Sequence, residues 1–157
     1  MKGYTTAEMK RFNYLISETN AAYHEAAQKL GLSDSTVQVL YTICNNGEGC
    51  QIGDICRLSG ISKQTINSAL RKLEAEGIVY LEASGRRKKR VCLTEQGRKL
   101  AEETVVKLIE IENGILDSWS RQELEQYLEL TRRYLDSFRA KVRELEPRET
   151  GPVPDVE

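Results

Sequence analysis

Apolar residues recur at helical spacing along most of the chain and predict a mainly helical fold. A first helix is expected to begin at Thr5, because Thr5 and Glu8 have the spacing of a capping box, and to stop at Gly31, a typical left-handed position. Ser33 is the expected cap of a second helix, which ends near Gly47. The apolar positions of the first helix follow a period close to 3.6 residues: Phe12, Leu15, Ile16, Tyr23 and Leu30.

The C-terminal part of the chain predicts two longer helices. Thr94 is expected to cap a helix that continues to about Asn113, and Ser120 with Glu123 gives a second capping-box pattern. No proline precedes Pro147, so nothing of that kind interrupts these helices, and the segment from Pro147 onward is expected to be a frayed tail. The last helix carries one apolar side: Leu124, Tyr127, Leu128, Thr131, Tyr134, Leu135, Phe138 and Val142.

The middle of the chain predicts two short helices and a small sheet. The helices are expected at about Gly53–Ser59 and from Ser62 to Gly77, with a turn between them. Two strands, Ile78–Ala83 and Lys89–Leu93, are expected to pair as a hairpin, with a short strand at Cys50–Ile52. The predicted fold class is mostly α with a small β-wing: a winged helix-turn-helix with N- and C-terminal dimerisation helices.

The helix after Ser62 has the polar face of a DNA-reading helix. Short polar side chains and a few cations suit the base edges of the major groove, and the helix N-terminus presents free N–H groups to phosphate. The hairpin that follows is strongly cationic and suits the DNA backbone and the minor groove. The expected DNA contacts are Ser62, Lys63, Gln64, Thr65, Asn67, Ser68 and Arg71 from the helix, with Arg86, Arg87, Lys88 and Lys89 from the hairpin.

Charge is distributed unevenly along the chain. Hydrophobic residues make up 39% and charged residues 30% of the sequence, with a formal net charge of -1. The segment from Ser62 to Arg90 contains eight Lys or Arg residues and three Glu, so its net charge is +5 and that of the remainder is -6. A basic surface on an acidic body is typical of a protein that binds a polyanion. A solvated amphipathic helix and a merely solubilising charge run are the alternative interpretation.

Three segments of the sequence resemble the winged-helix core of the multiple-antibiotic-resistance regulator (MarR) family: LSDSTVQVLYTIC, DICRLSGISKQTINSALRKLEAEGIVY and GRRKKRVCLTEQG. The resemblance implies an N-terminal dimerisation helix (1–31), a DNA-binding domain (32–97), C-terminal dimerisation helices (98–146) and a flexible tail (147–157). It also implies a homodimer on a palindromic site, and a small-molecule effector in some members. The family usually has an aspartate before the wing arginines, where this chain has Gly85.

The resemblance leads us to expect a homodimeric, sequence-specific transcriptional regulator, a repressor released by an effector. The alternative is a winged-helix protein-interaction module without specific DNA binding, which Gly85 slightly favours. Either protein is expected in the cytoplasm, because no apolar run is long enough to cross a bilayer and the N-terminus lacks the apolar core of a signal peptide.

Enzymatic chemistry is not predicted. His24 is the single histidine and has no partner motif, and there is no phosphate-binding or dinucleotide fingerprint. The four cysteines lack zinc-finger spacing, so no metal or cofactor is expected. Cys44, Cys56 and Cys92 are expected to be buried, and Cys50 is the most plausible exposed thiol. The tyrosines and Trp119 are expected mainly in the core, with an effector cleft as the alternative.

Overall fold

The computed structural model describes residues 4–47, 49–84 and 88–146. Within these residues the chain is mostly helical with one small antiparallel sheet, so the predicted fold class is confirmed. The order of elements is α1 (Ala7–Lys29), α2 (Asp34–Asn46), β1 (Cys50–Gln51), α3 (Ile52–Ser59), α4 (Lys63–Ala75), β2 (Val79–Ser84), β3 (Lys88–Leu93), α5 (Glu95–Glu103), α6 (Val105–Asp117) and α7 (Arg121–Arg143).

Most helices begin at the predicted caps. The side-chain oxygens of Ser33, Ser62, Thr94 and Ser120 each accept a hydrogen bond from a first-turn backbone N–H, and Ser120 forms a complete capping box with Glu123. The prediction for α1 was wrong by one residue. Thr6, and not Thr5, caps α1 through a hydrogen bond from the Met9 N–H. The capping-box spacing of Thr5 and Glu8 therefore did not identify the cap, because the adjacent Thr6 forms the hydrogen bond instead.

The sheet is built around its last strand. Its order is β1-β3-β2, and both pairings are antiparallel. Val79 lies opposite Leu93 at the base of the β2–β3 hairpin, and Ser84 lies opposite Lys88 near its tip. Residues 85–87, between these strands, lie outside the described part of the chain. Lys88 and Lys89 therefore lie at the far end of a two-stranded ribbon.

The chain divides into two compact units, Met1–Glu112 and Asn113–Glu157. The first unit contains one hydrophobic core that includes residues from α2, α3, α4, the sheet and the α5–α6 region. Its largest fully buried side chains are Leu40, Ile43, Ile55, Ile66, Leu73, Val39, Val79, Val91 and Val105. Ile66 and Leu73 come from the inner face of α4, so packing fixes which face of that helix points outward.

One predicted helix is in fact two. The helix expected from Thr94 to about Asn113 is interrupted at Thr104, whose backbone has φ -127° and ψ -89°. The Thr104 hydroxyl donates to the carbonyl of Leu100 at 2.5 Å, and the Thr104 N–H donates to the carbonyl of Ala101 at 3.2 Å. A side chain that bonds the preceding turn in this way competes with the regular helix ladder. Thr104 is buried, and α6 starts at the next residue.

The second unit contains the end of α6 and the 23-residue helix α7. No residue of α7 is buried. Trp119 packs edge-on against Tyr127 with ring centroids 5.2 Å apart, and the rings of Tyr134 and Phe138 are parallel at 6.1 Å. The apolar residues of α7 remain largely exposed, including Leu128 at 54% and Phe138 at 57%. In this chain alone, α7 has an apolar side without a covering layer.

Candidate nucleic-acid interface

The outer face of α4 is polar and open to solvent. Its inner face is locked by Ile66, Ala69, Leu70 and Leu73, all of them buried. The side chains of Lys63, Gln64 and Arg71 are exposed on the opposite face, while Asn67 is half-buried at its edge. Among the described residues, the side chains of these four make no hydrogen bond or ion pair. They are therefore available to an external partner.

Three of the predicted contact residues are already used inside the helix. The Ser62 hydroxyl accepts from the Thr65 N–H at 3.2 Å and lies 2.9 Å from the Thr65 hydroxyl. The Ser68 hydroxyl donates to the carbonyl of Gln64 at 3.0 Å. Each hydroxyl can still accept a bond, but Ser62 and Ser68 first serve to shape α4. This division makes Gln64, Asn67 and the two cations the stronger candidates for reading bases.

The described part of the wing carries three cationic residues, Lys88, Lys89 and Arg90. Lys88 begins β3, and the Lys89 side chain is exposed. Arg86 and Arg87, both predicted contacts, lie outside the described residues. Arg90 is half-buried, and its Nη2 donates to the carbonyl of Gly49 at 3.3 Å, so it braces the base of the wing against the β1 side of the sheet.

The wing and α4 are joined at a compact junction. Gly77 adopts φ +71° after the last turn of α4, and the Ile78 N–H donates back to the carbonyl of Leu73 at 2.8 Å. At the other end of the hairpin, the Thr94 hydroxyl donates to the carbonyl of Gly77 at 2.6 Å, and the Thr94 N–H donates to the carbonyl of Ile78 at 3.0 Å. Both ends of the wing are thus fastened to the C-terminal end of α4.

Gly97 completes this junction through its lack of a side chain. A Cβ atom built on Gly97 would lie 2.0 Å from the carbonyl oxygen of Ile78 and 3.0 Å from its carbonyl carbon. No real side chain can occupy that space, so α5 approaches the start of β2 more closely than any other residue would permit. The Thr94–Gly97 spacing also lets the Thr94 hydroxyl accept from the Gly97 N–H at 2.9 Å. The junction therefore depends on Thr94 and Gly97 together.

A carboxylate clamp, in which Glu112 of α6 accepts hydrogen bonds from tyrosines of two other helices, was not predicted from the sequence. The hydroxyl of Tyr41 on α2 donates to Glu112 at 2.5 Å, and the hydroxyl of Tyr23 on α1 donates to the other oxygen of the same carboxylate. Burial, and then the hydrogen bond to Glu112, raises the pKa of Tyr41. The two tyrosines line a crevice of about 280 Å³. Tyr41 and Tyr23 precede Glu112 by 71 and 89 residues in the sequence, so no local pattern could have predicted that they contact it.

The predictions for the cysteines need correction. Cys50, expected to be the exposed thiol, is 5% exposed, and burial raises its pKa to about 11. It lies opposite Val91 in the sheet, where its side chain joins the core. Cys44 and Cys56, expected to be buried, are both partly exposed, whereas Cys92 is buried as predicted. Residues 4–47, 49–84 and 88–146 contain no group of three acidic, His or Cys side chains placed to hold a metal ion.

In the described part of the chain, no helix combines the length and apolar character needed to span a bilayer.

The structure defines a winged helix-turn-helix protein, with a recognition helix, a two-stranded wing and additional helices before and after them in the sequence. Residues 30–90 match the model of the MarR family. This match confirms the predicted resemblance over residues 30–90, and the members of the MarR family are DNA-binding transcription regulators and not enzymes. The match and the fold together support a DNA-binding transcription regulator. No curated protein sequence matches the chain.

Solved structures share this fold at low sequence identity. NMB1585, a MarR family regulator from Neisseria meningitidis, has a TM-score of 0.78 and 16% identity over 88% of this chain and 99% of its own. MepR from S. aureus, in complex with DNA, has a TM-score of 0.63 and 21% identity over 85% and 99%. BpsR from Bordetella bronchiseptica, whose DNA binding is regulated by 6-hydroxynicotinic acid, has a TM-score of 0.59 and 22% identity over 79% and 98%.

Proposed function

We propose that this protein is a homodimeric, sequence-specific transcriptional repressor that binds a palindromic operator in the cytoplasm of a bacterial cell. The proposal is carried by the outer face of α4, where Gln64, Asn67 and Arg71 have no partner among the described residues. Amides in this position can pair with adenine edges, and arginine can pair with guanine, each good pair giving about 1–3 kcal/mol of base discrimination. Lys88 and Lys89, with Arg86 and Arg87, would add salt-sensitive contacts to phosphates.

Exposed apolar surface supports the dimer. Tyr14 and Leu15 of α1 are 61% and 54% exposed, and the apolar side of α7 is uncovered in a single chain. Apolar surface of this extent on monomeric proteins is uncommon and marks an interaction site. A second copy of the same chain would cover it by two-fold symmetry. Such a dimer would place two recognition helices about one DNA turn, roughly 34–36 Å, apart.

An effector site in the Tyr23–Tyr41–Glu112 crevice would suit this mechanism. The crevice lies among α1, α2 and the first part of α6, and its volume of about 280 Å³ admits a small ring compound. A ligand that displaced either tyrosine from Glu112 would change how these helices are held together. It would act by shifting the population of dimers whose two α4 helices match the groove spacing. BpsR, which shares the fold, responds to a compound of this size.

Selection of bound sequences from a random pool of duplex DNA tests the proposal directly. We expect a palindrome whose half-sites are one helical turn apart. Gln64→Ala with Asn67→Ala should reduce the affinity for the selected site to near the nonspecific level. Lys99→Ala, on the exposed surface of α5, is the matched control and should leave affinity unchanged within twofold.

The wing is tested separately by the salt dependence of binding. Replacing Lys88 and Lys89 with alanine should reduce the slope of log affinity against log salt by about 1.8, because each phosphate contact contributes about 0.9. An unchanged slope would remove both lysines from the interface. Binding seen only at low salt, without any preferred sequence, would instead favour a protein-interaction module.

A further inference from the structure

The Glu112 crevice continues along the groove between α1 and α2. A second crevice, of about 190 Å³, adjoins it and extends to His24 and Ala27, farther along α1. The two crevices share four lining residues: Asn20, Tyr23, Val37 and Gln38. A small ring compound in the first crevice therefore has room for a substituent that reaches into the second.

The described walls of this groove carry negative charge. Glu112 is the charged side chain of the first crevice, and the second crevice adds Asp34. Neither described lining contains a lysine or an arginine. The Nδ1 atom of His24 lies 2.8 Å from Oδ2 of Asp34, so the second carboxylate already has a partner. Glu112 is therefore the charge that a ligand in the first crevice would meet.

Neutral groups hold the Glu112 carboxylate. The Tyr41 hydroxyl donates to Oε2 at 2.5 Å, and the Tyr23 hydroxyl donates to Oε1. Burial, and then the hydrogen bond to Glu112, raises the pKa of Tyr41, so this phenol stays protonated and uncharged at neutral pH. Within the described residues, Glu112 forms no ion pair. The two hydroxyls satisfy part of its hydrogen-bonding capacity but leave its charge uncompensated.

The rest of the lining suits an organic ligand. Val37 and Leu108 are buried and give the crevice an apolar wall beside the phenol rings. The side-chain amides of Asn20 and Gln38 make no hydrogen bond to another described residue, so they are available to polar atoms of a ligand. Aromatic faces attract organic cations. A planar group with two parallel N–H bonds, such as an amidinium or a guanidinium, matches a carboxylate closely.

We propose that the ligand of the Glu112 crevice is a small organic monocation, an amidinium or guanidinium attached to an aromatic ring. Its charged end binds Glu112 in place of a tyrosine hydroxyl, and its ring lies against Val37 and Leu108. Displacing Tyr23 or Tyr41 frees α1 or α2 from the carboxylate. The inference rests on the effector site proposed above and defines the charge of the effector, and ligand binding can be measured without DNA.

Three probes of nearly the same size and shape test the charge preference: benzamidine, benzamide and benzoate. They are positive, neutral and negative at neutral pH. Isothermal titration calorimetry on the full chain measures each affinity. We expect benzamidine to bind at least about fivefold more tightly than benzamide, the effect of one charge contact near 4 Å in water. Benzoate should bind most weakly, because it would face Glu112 without a compensating cation.

Two variants locate the preference. Glu112→Gln should abolish the preference for benzamidine over benzamide, whereas Glu110→Gln, which removes the same charge from an exposed neighbouring position, should preserve it. Raising the salt concentration to about 1 M should narrow the preference in the unsubstituted chain, which needs no variant to fold. Equal affinities for the three probes, tighter binding of benzoate, no binding of millimolar benzamidine, or a preference that survives Glu112→Gln would overturn the proposal.

A separate measurement distinguishes the ligand class from the role of effector. Benzamidine should weaken binding of the selected operator by the unsubstituted chain and leave binding by Glu112→Gln unchanged. If calorimetry shows the Glu112-dependent preference but operator affinity does not change, the ligand class is supported and the release of DNA by an effector at this crevice is refuted.

Discussion

Phe138 offers a quantitative test of the apolar side of α7. Its side chain is 57% exposed in the single chain and stacks on Tyr134, four residues earlier. For an aromatic residue of about 200 Å², the exposed part is about 110 Å². Burying that area in a dimer would contribute about 2.8 kcal/mol per protomer. Because alanine keeps the Cβ atom, Phe138→Ala should remove about 2 kcal/mol of it.

Because the dimer is two-fold symmetric, this loss occurs once in each protomer. Phe138→Ala should therefore weaken the dimer by about 4 kcal/mol, which is about a thousandfold in the dissociation constant. Sedimentation equilibrium over a dilution series measures that constant. Glu129→Ala is the matched control, because Glu129 is exposed on the opposite side of α7 and should leave the constant unchanged. Circular dichroism shows whether α7 keeps its helical content.

Two results would refute this reasoning. The unsubstituted chain could be monomeric at micromolar concentration, in which case the uncovered side of α7 has another role. Alternatively, Phe138→Ala and Glu129→Ala could dissociate at the same concentration. The second result would keep the dimer but place its interface away from Phe138.

Two further predictions concern the first unit. Glu112→Gln should lower the free energy of unfolding, measured by urea titration, by only about 1 kcal/mol, since the crevice is partly exposed. Glu110→Gln, at an exposed neighbouring position, should leave this free energy unchanged. If the two variants have the same free energy of unfolding, the clamp contributes nothing to stability. Glu112→Gln should also lower the pH at which Tyr41 ionises, as followed by ultraviolet absorbance, because Glu112 helps to keep the phenol protonated. Alkylation of Cys50 by neutral iodoacetamide should stay slow up to its pKa of about 11, since burial keeps the thiol protonated, and rapid labelling at pH 8 would contradict its burial.

The regular parts of the fold could be predicted because local chemistry specifies them. Ser33, Ser62, Thr94 and Ser120 carry side chains that satisfy free N–H groups, and each caps the expected helix. Within the candidate interface, the apolar spacing from Ile66 to Leu73 fixed the inner face of α4 and therefore its outer one. These are features that neighbouring residues determine among themselves.

The remaining features depend on backbone geometry or on distant partners. Gly97, Ala101, Val105 and Leu108 keep helical spacing across Thr104, so the apolar pattern carried no sign of the break between α5 and α6. Cys50 was predicted to be exposed because glycine and a polar residue flank it, yet its pairing with β3 takes the side chain into the core. The Glu112 clamp joins three helices and has no local signature.

Because Gly97 lies so close to Ile78, the distance between α5 and the start of β2 cannot be changed in small steps. Side chains of graded size usually let evolution widen a gap by one methyl group at a time. Here the smallest possible addition already overlaps a backbone oxygen, which cannot rotate away as a side chain would. Evolutionary changes in the distance between α4 and the wing must therefore arise at other positions. A substitution at Gly97 would disrupt the junction instead of adjusting it slightly.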